Sequence, residues 1–381
     1  MQKQIAFIRP KPWPLANMRL SEIIKEEFRD CNVDVIDIKP LVTHNLWILG
    51  VNAVITGWQY APELLTGKKL FREAFWRTPF MFKTVKRLLA KKLAGRNYWF
   101  TFQMQSLFDC SLPDTPHFIY TDHTHLANLS YPGFDRKSLY EKWVDLERQI
   151  YQNATISFVR STNIRQSIIE QYKQPPEKVA CVYAASNVQF DASITEGKSY
   201  ASQNILFVGA DWERKGGSDL VEAFKLVLEK FPKATLTIIG ASPNIQLRNC
   251  QVIGKIAPQK LIQYYKSAAV FCMPTRKDPF GIVYLEAMQA GLPIIATNTG
   301  AIPDFIQDGH NGFLVEPGDV QGIACGIMKL LADENLCQLF GRRSMKLVEE
   351  RYTRRAVGEK IHKYILESLS VKPLTKTQFD V

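Results

Sequence analysis

A short segment, residues 275–301, contains the side chains whose types and spacing best fit a chemical role. Within it, Gly281 precedes a predicted helix over residues 282–290. Because glycine has no side chain, an anion can approach the free N–H groups of Gly281, Ile282 and Val283 and meet the positive end of the helix dipole. The spacing therefore predicts a phosphate-binding site at the start of this helix.

Two acids stand on either side of that helix start, eight positions apart. Asp278 precedes it, and Glu286 follows Gly281 by five residues, roughly 7.5 Å along a helix, which is the reach of a ribose whose pyrophosphate binds at the helix start. Pro279 is predicted in the first helical turn, where its missing N–H would have no partner anyway. The alternative interpretation is that Asp278 only caps the helix and that Glu286 is a solvated surface acid.

The elements that must position these residues follow from the alternation of β-branched runs and helical stretches. In the first half, strands are predicted at residues 5–8, 33–38, 53–56, 117–120 and 155–159, and helices at 20–28 and 138–151. In the second half, strands are predicted at residues 205–208, 235–239, 270–273, 294–297 and 312–315, with helices at 218–230, 258–268, 282–290 and 320–331. Such alternation indicates parallel sheets with helices on both faces.

The chain of 381 residues is long enough for two domains, and the polar stretch at residues 186–203 is the predicted linker. We predict a Rossmann-like domain over residues 1–190 and a second one over residues 191–359, with a last helix at about residues 360–381 packing back on the first domain. In α/β folds of this kind, ligands bind at the carboxyl ends of the strands. The predicted site therefore lies in the cleft between the domains.

The net charge of +11 is concentrated in one segment. Between Lys68 and Arg96, ten lysines and arginines stand against one acid, Glu73, so the remainder of the chain is close to neutral. A nucleic-acid-binding protein usually spreads its positive charge over a wider face, and we therefore expect no nucleic-acid partner. A local run of charge interspersed with aromatic residues is more typical of an anchor to an anionic surface.

A basic amphipathic helix is predicted within this segment, after Pro79. Its apolar positions are Met81, Val85, Leu88, Leu89 and Leu93, and its basic positions, largely on other faces, are Lys83, Lys86, Arg87, Lys91 and Lys92. One interpretation is that the helix holds the protein at an anionic membrane, which would imply a lipid-linked or cell-envelope acceptor. The others are a solvated helix whose apolar stripe belongs to the domain core, or a site for an acidic polymer.

Cysteine usage and the lack of long apolar runs indicate the compartment. The seven cysteines form no C-x-x-C pair and are spread over the chain, so we expect reduced thiols and neither a zinc ribbon nor a disulfide framework. We find no charged leader with an apolar run, as a signal peptide would have, and no stretch of about 20 apolar residues to span a bilayer. These features predict a cytoplasmic protein, peripheral on the inner face of a membrane if the membrane interpretation holds.

The string D-P-F-G-I-V-Y-L-E-A-M-Q-A-G-L-P at residues 278–293 resembles the signature of family 4 of the retaining glycosyltransferases, also described as glycosyl transferases group 1. In that signature two acids are separated by seven other residues, as Asp278 and Glu286 are here. The resemblance covers roughly residues 205–331 and implies the α/β GT-B fold, with two Rossmann-like domains facing each other across a cleft. It implies transfer of a hexose from a UDP or GDP sugar to a hydroxyl acceptor, with no cofactor and no metal ion.

Roles for individual residues follow from the same resemblance. The stretch at residues 207–217 is similar to a family strand and loop in which an Arg-Lys pair binds the donor pyrophosphate. This implies that role for Arg214 and Lys215, and a donor contact for Gly209. Of the two acids of the signature, the first would hold hydroxyls of the donor sugar and the second would hold the ribose.

Three further positions complete the implied donor site. The segment around Gly254 and Ile256 resembles the family loops near the nucleotide base. His123, which follows a predicted strand of the first domain, is similar to the family histidine that faces the donor sugar. His125 is the alternative for that role, and two histidines beside Asp122 also suggest a metal site.

The sequence leaves two further classes of function open. One is a related two-domain enzyme of sugar nucleotides, an epimerase or a phosphorylase. The other is a non-catalytic protein that keeps the nucleotide site and binds a polymer or partner through its basic segment. The loop after the first strand departs from the family, whose members usually have a glycine-rich loop there. It reads R-P-K-P-W-P at residues 9–14, and its three prolines remove three N–H donors.

Overall fold

The structure is a computed structural model that describes residues 2–12, 15–186, 190, 194–195 and 197–370. Parts of the predicted linker, and residues 371–381 of the predicted last helix, lie outside the described residues. Within the described part, twelve strands form two parallel sheets of six strands, one from each half of the chain. The prediction of a two-domain α/β fold is confirmed, and the boundary near residue 190 stays a prediction.

The first sheet is built from strands that alternate with helices along the first half of the chain. Its strands are β1 (Gln4–Arg9), β2 (Asn32–Asp37), β3 (Tyr98–Met104), β4 (His117–Thr121), β5 (Ile156–Val159) and β6 (Val179–Cys181). Their order in the sheet is β2-β1-β3-β4-β5-β6. The helices are α1 (Leu15–Glu27), α2 (Ile38–Thr43), α3 (Leu46–Gln59), α4 (Ala61–Leu65), α5 (Phe71–Phe75), α6 (Pro79–Leu93), α7 (Glu141–Asn153) and α8 (Thr162–Glu170).

The second sheet has the same construction. Its strands are β7 (Asn204–Gly209), β8 (Thr235–Gly240), β9 (Cys250–Gly254), β10 (Val270–Met273), β11 (Ile294–Thr297) and β12 (Gly312–Val315), in the order β12-β11-β10-β7-β8-β9. Its helices are α9 (Gly217–Lys230), α10 (Leu261–Ser267), α11 (Ile282–Gln289), α12 (Val320–Ala332) and α13 (Glu334–Arg351). A last described helix, α14 (Arg354–Ser370), follows.

Apolar layers cover both faces of the first sheet. Successive side chains of a strand point to opposite faces, so Ile5 and Phe7 lie in a layer with α1, while Ala6 and Ile8 lie in a layer with α3, α6 and α7. All four are fully buried. Because apolar layers cover both faces of the sheet, we expect a ligand to bind at the carboxyl ends of its strands.

Helix α14 packs on the first domain rather than the second. Val357, Ile361 and Ile365 are buried in the layer that contains α1. Arg354, at the start of α14, donates a hydrogen bond of 2.8 Å to Glu26 of α1. The chain therefore passes from the first domain to the second and back again.

Residues 53–56, predicted as a strand, belong to α3, so that prediction is wrong. Their β-branched run favours a strand locally, but Asn45 caps a helix by accepting a hydrogen bond of 3.2 Å from the N–H of Ile48. Ile48, Asn52 and Thr56 then recur every four residues on the buried side, which is helical spacing. Packing of α3 against α5 and α6 outweighs the local preference.

The predicted basic helix is present as α6, and its apolar stripe belongs to the core. Thr78 caps it by accepting a hydrogen bond of 3.1 Å from the N–H of Met81. The buried residues are Met81, Phe82, Val85, Leu89 and Leu93, whereas Leu88 is half-buried. The apolar stripe of α6 therefore belongs to the domain core, as one of the three interpretations expects, while binding of an anionic membrane or an acidic polymer by its basic residues stays a prediction.

Candidate active site

The start of α11 is shaped by Gly281, which adopts a left-handed backbone with φ of 77°. A Cβ there would lie 2.7 Å from the Tyr284 ring and 3.3 Å from an oxygen of Asp278, so only glycine fits. The helix proper begins at Ile282, and Pro279 therefore precedes it, which corrects the prediction that placed Pro279 in the first turn. The amides of Ile282 and the following Val283 have no acceptor within the helix, as in any first turn.

Asp278 and Lys215 form a buried ion pair beside this helix start. Asp278 is 5% exposed, and its second oxygen lies 3.4 Å from the N–H of Phe280. Lys215 comes from the loop between β7 and α9, which is held close by Gly216 (φ 71°), where a Cβ would lie 1.9 Å from the carbonyl oxygen of Pro274. The pair brings one cation and one anion from two loops to the amino end of α11.

Arg214 lies in the same loop and is half-exposed. Its Nη1 donates to the carbonyl oxygen of Lys277 at 2.8 Å, and its Nε donates to Asp211 at 2.8 Å. These two bonds use part of the five N–H donors of a guanidinium. The remaining donors can form charge-assisted hydrogen bonds to a phosphate.

Glu286 is a buried acid, so the interpretation as a solvated surface residue is wrong. Only 6% of it is exposed, and its Oε2 accepts a hydrogen bond of 3.1 Å from the Tyr265 hydroxyl. Burial raises the pKa of Glu286 to about 7, although the hydrogen bond from Tyr265 acts in the opposite direction. The carboxyl group thus changes its protonation near neutral pH. Hydroxyl groups that donate hydrogen bonds to it stabilise its ionised form.

The strand ends predicted to contact the donor are spread along the sheet. Gly209 ends β7 beside Gly240, where a Cβ would lie 2.9 Å from the Gly209 carbonyl. Gly254 ends the edge strand β9, and Ile256 follows in the next loop. Because β7 and β8 separate β9 from β10, Gly254 lies about 14 Å along the sheet from the strand that precedes α11. A ligand must be extended to reach both.

His123 and His125 follow β4 and differ in their surroundings. The Nε2 of His125 accepts a hydrogen bond of 2.8 Å from the N–H of Tyr140, and burial lowers the pKa of His125 to about 3. The Nδ1 of His123 is buried and has no hydrogen-bond partner among the described residues. Burial lowers the pKa of His123, and Lys277 does so further, against an opposite effect of Asp122. His123 is therefore neutral at pH 7 and keeps a ring nitrogen for a ligand.

Contacts between the two domains hold the His123 loop near α11. Lys277, next to Asp278, donates a hydrogen bond of 2.7 Å to Asn128, and its ammonium lies 5.1 Å from the centre of the Tyr131 ring. Farther away, the N–H of Thr162 donates to Asp304 at 2.7 Å. No local sequence pattern marks a contact between loops 149 positions apart, so these residues could not be identified from the sequence.

Two adjoining cavities lie on the first domain beside His123. A cavity of about 260 Å³ is lined by His123, His125, Ser106, Glu147 and Arg77, among others. A cavity of about 550 Å³ has four cations in its lining, Lys11, Lys39, Arg72 and Arg77, against one acid, Glu73. The two share Pro10, Arg77 and Leu107, so they adjoin, and we call them together the channel beside His123.

Groups that could hold a metal are not evident in the part of the chain that the structure describes, since no cluster of three or more His, Cys, Asp or Glu has the required arrangement there. His123 and His125 therefore have no third ligand beside them among these residues.

A cavity of about 850 Å³ near Gln2, Asn32 and Pro116 lies at the opposite edge of the first sheet. Ligands of parallel α/β sheets bind at carboxyl ends, so we place the candidate site at α11.

The two parallel six-stranded sheets belong to two domains that contact each other through loops such as those of Lys277 and Asn128. This arrangement is the GT-B fold. The sucrose-phosphate synthase of Thermosynechococcus elongatus has a TM-score of 0.68 at 15% identity, over 96% of this chain and 98% of that chain. The structure of Anabaena HepE in complex with UDP and glucose has a TM-score of 0.62 at 15% identity, over 96% of this chain and 100% of that one. The predicted fold class is confirmed.

A family model described as glycosyl transferases group 1 matches residues 196–347. The matched segment contains the second sheet with Lys215, Asp278 and Glu286. The sulfoquinovosyl transferase SQD2 of Arabidopsis thaliana is 34% identical over 158 residues, which cover 39% of this chain and 31% of that protein. The chain spans less than half the length of the first two curated relatives that it matches, 31% and 44%.

Proposed function

We propose that this protein is a retaining glycosyltransferase that moves a hexose from a UDP or GDP sugar to an acceptor hydroxyl. The observation that carries the proposal is the amino end of α11, where two first-turn amides and the Lys215–Asp278 pair meet at the cleft. A helix start with free first-turn amides and an adjacent cation is suited to a diphosphate. The bound UDP and glucose of the HepE structure support UDP as the carrier.

Each residue then has a role that its surroundings support. Arg214 and Lys215 bind the pyrophosphate and offset the negative charge that develops on it as the glycosidic bond breaks. Asp278, held in place by Lys215, accepts hydrogen bonds from hydroxyls of the donor sugar. Glu286 accepts hydrogen bonds from the ribose, and His123 offers its unpartnered ring nitrogen to the sugar from the other domain.

The proposed reaction keeps the configuration of the anomeric carbon. The carbon–oxygen bond to the diphosphate breaks while the acceptor oxygen bonds to the same face of the sugar, and the departing phosphate takes the acceptor proton. The Asp278 carboxylate is engaged by Lys215, so it is suited to hold the sugar rather than to attack it. Domain contacts such as that of Lys277 with Asn128 would keep water out during this step.

For the acceptor, we propose a glycan or a lipid-linked molecule that carries negative charge. The larger cavity of the channel beside His123 has Lys39, Arg72 and Arg77 in its lining against one acid, Glu73, which favours phosphate or carboxylate groups. The seven cysteines are free, which supports a reducing compartment such as the cytoplasm. An acceptor would enter along this channel and present its hydroxyl near His123.

A donor-hydrolysis assay tests the proposal. The purified protein is incubated with UDP- and GDP-hexoses, and the release of free nucleoside diphosphate is followed. We expect slow release with at least one donor, and a fall of about 10- to 100-fold in nucleotide affinity for Lys215→Ala, because charge-assisted hydrogen bonds are lost. Lys233→Ala, an exposed lysine away from the site, is the matched control. Failure of every nucleotide to bind would refute the proposal.

A further inference from the structure

An apolar surface on the first domain is not used by the core or by the candidate site. It is formed by α3, α4, α5 and the loop between the last two, and we call it the α3–α5 face. Its exposed members are Leu46, Trp47, Val54, Trp58, Leu65, Leu70 and Phe71. They are seven of the ten large apolar side chains found exposed among the described residues, so the exposure is concentrated in one region of 26 positions.

Helical spacing shows that this exposure is organised. Trp47, Val54 and Trp58 are separated by seven and four residues, so they lie on one side of α3, and they are 70%, 74% and 86% exposed. The opposite side, with Asn52 and Thr56, is fully buried. Solvent-exposed apolar residues scattered singly need no explanation, whereas a contiguous patch with two tryptophans indicates a binding surface.

The charges around the α3–α5 face are arranged for an anionic partner. Residues 40–62 contain no Asp, Glu, Lys or Arg. The acid Glu63 follows and pairs with Lys69, and the basic segment begins at residue 68. Lys69, Lys86 and Arg96 of that segment have acidic partners within the chain. Exposed cations include Lys68, between Leu65 and Leu70, and Arg72, next to Phe71. The apolar face is therefore bordered by positive charge.

The dimensions of α3 decide how it meets a bilayer. Its 14 residues extend about 21 Å, which is shorter than the hydrocarbon core of roughly 30 Å. None of the described helices is long and apolar enough to cross a membrane. A helix of this length with tryptophans on its apolar side is suited to lie in the plane of the interface.

We propose that the α3–α5 face docks on an anionic phospholipid bilayer, with Trp47, Trp58, Leu65 and Phe71 entering the headgroup region and Lys68 and Arg72 contacting lipid phosphates. The surface differs from the predicted basic helix, whose apolar stripe is buried in the core. Basic residues near an anionic bilayer are attracted to its lipid phosphates, and apolar side chains that enter the interface add hydrophobic stabilisation. Docking requires neither a donor nor catalysis.

The α3–α5 face also orients the channel beside His123. Phe71 of α5 is part of the face, while Arg72, Glu73 and the nearby Trp76 line the larger cavity. Docking therefore places the mouth of that cavity next to the lipid headgroups. If the proposed transferase activity is correct, a lipid-linked acceptor reaches the channel without leaving the bilayer. This step alone rests on the proposed function.

Vesicle cosedimentation tests the docking in the absence of nucleotide. The protein is mixed with vesicles of phosphatidylglycerol and phosphatidylcholine, and with vesicles of phosphatidylcholine alone. We expect binding to the anionic vesicles and at least tenfold weaker partitioning for the double variant Trp47→Glu/Trp58→Glu. Ile262→Glu, which places one such charge at an exposed apolar site on α10, should bind as the parent does. Thermal unfolding of all variants shows whether each remains folded.

Quenching by brominated lipids reports insertion directly. Fluorescence of the parent protein should be quenched by anionic vesicles with brominated acyl chains, and the quenching should be lost in Trp47→Phe/Trp58→Phe, which keeps an apolar face. The proposal is overturned if the parent does not bind anionic vesicles, or if Ile262→Glu weakens binding as much as the double variant. It is also overturned if sedimentation shows a dimer that Trp47→Glu/Trp58→Glu dissociates, since a second copy would then cover the face.

Discussion

At the scale of single residues, Glu286 makes the sharpest prediction, because burial raises its pKa to about 7. The folded protein holds this proton at pH values where the unfolded chain has released it, so stability falls as pH rises from about 4.5 to 7. Glu286→Gln removes that loss. We expect the variant to gain up to about 3 kcal/mol over the parent above pH 7 and little at pH 4, measured by chemical unfolding across this range.

The control for this prediction is a binding measurement on the same variant. Ribose hydroxyls donate to an ionised carboxylate, so UDP binding by the parent should strengthen as pH rises through 7 and should release protons. Calorimetry in buffers of different ionisation enthalpy measures that release. Glu286→Gln should bind UDP more weakly and without proton release. A stability gain of equal size at pH 4 and pH 8 would contradict the assigned pKa.

At the scale of elements, the left-handed backbone at the start of α11 predicts a loss on Gly281→Ala. The added Cβ meets the Tyr284 ring at 2.7 Å, and the backbone conformation costs roughly 1 to 2 kcal/mol for an L-residue. Gly309→Ala is the matched control, since Gly309 has φ of 68° and nothing within 4 Å of its Cβ position. Both variants should lose stability, but only Gly281→Ala should lose nucleotide affinity, as calorimetry would show. Equal UDP affinity of the two variants would show that the start of α11 does not bind the phosphates.

The helices and strands differ in how well they could be predicted from the sequence. The strand–helix–strand unit around α11 was predictable because its periodicity and its glycines are local features. The position of Pro279 was not, since it depends on the left-handed backbone at Gly281 and on packing against Tyr284. The strand predicted at residues 53–56 failed because tertiary packing of α3 overrode a β-branched run.

Placement of the site residues depended on information that is not local. The sheet order brings β10 next to β7, and this order places Lys215 at Asp278 across 63 positions. The same order sets Gly254 apart from them on the edge strand. The distinct surroundings of His123 and His125 arise from α7 and the segment before it, which contribute Tyr140 and neighbouring groups. Sequence motifs could suggest these residues but not their distances.

At the scale of the whole molecule, the hydrogen bond from Thr162 to Asp304 joins the two domains. We expect its loss to slow sugar transfer without weakening nucleotide binding. Asp304→Ala removes hydrogen bonds between the domains but leaves the second-domain residues of the donor site intact. We expect UDP affinity within about twofold of the parent and a lower transfer rate, because the acceptor side is held less firmly. Calorimetry and a single-turnover assay measure the two quantities. A large fall in UDP affinity would contradict this division.

Helix α14 has a consequence for the order in which the chain acquires its structure on the ribosome. Domains usually fold in the order of synthesis, but the layer containing Ile24, Phe28 and Phe158 is completed only by Val357, Ile361 and Ile365. An apolar surface of the amino-terminal half therefore stays uncovered until more than 150 further residues have been translated. The second half has all its strands by residue 315, so we expect it to reach its final packing before the first half does.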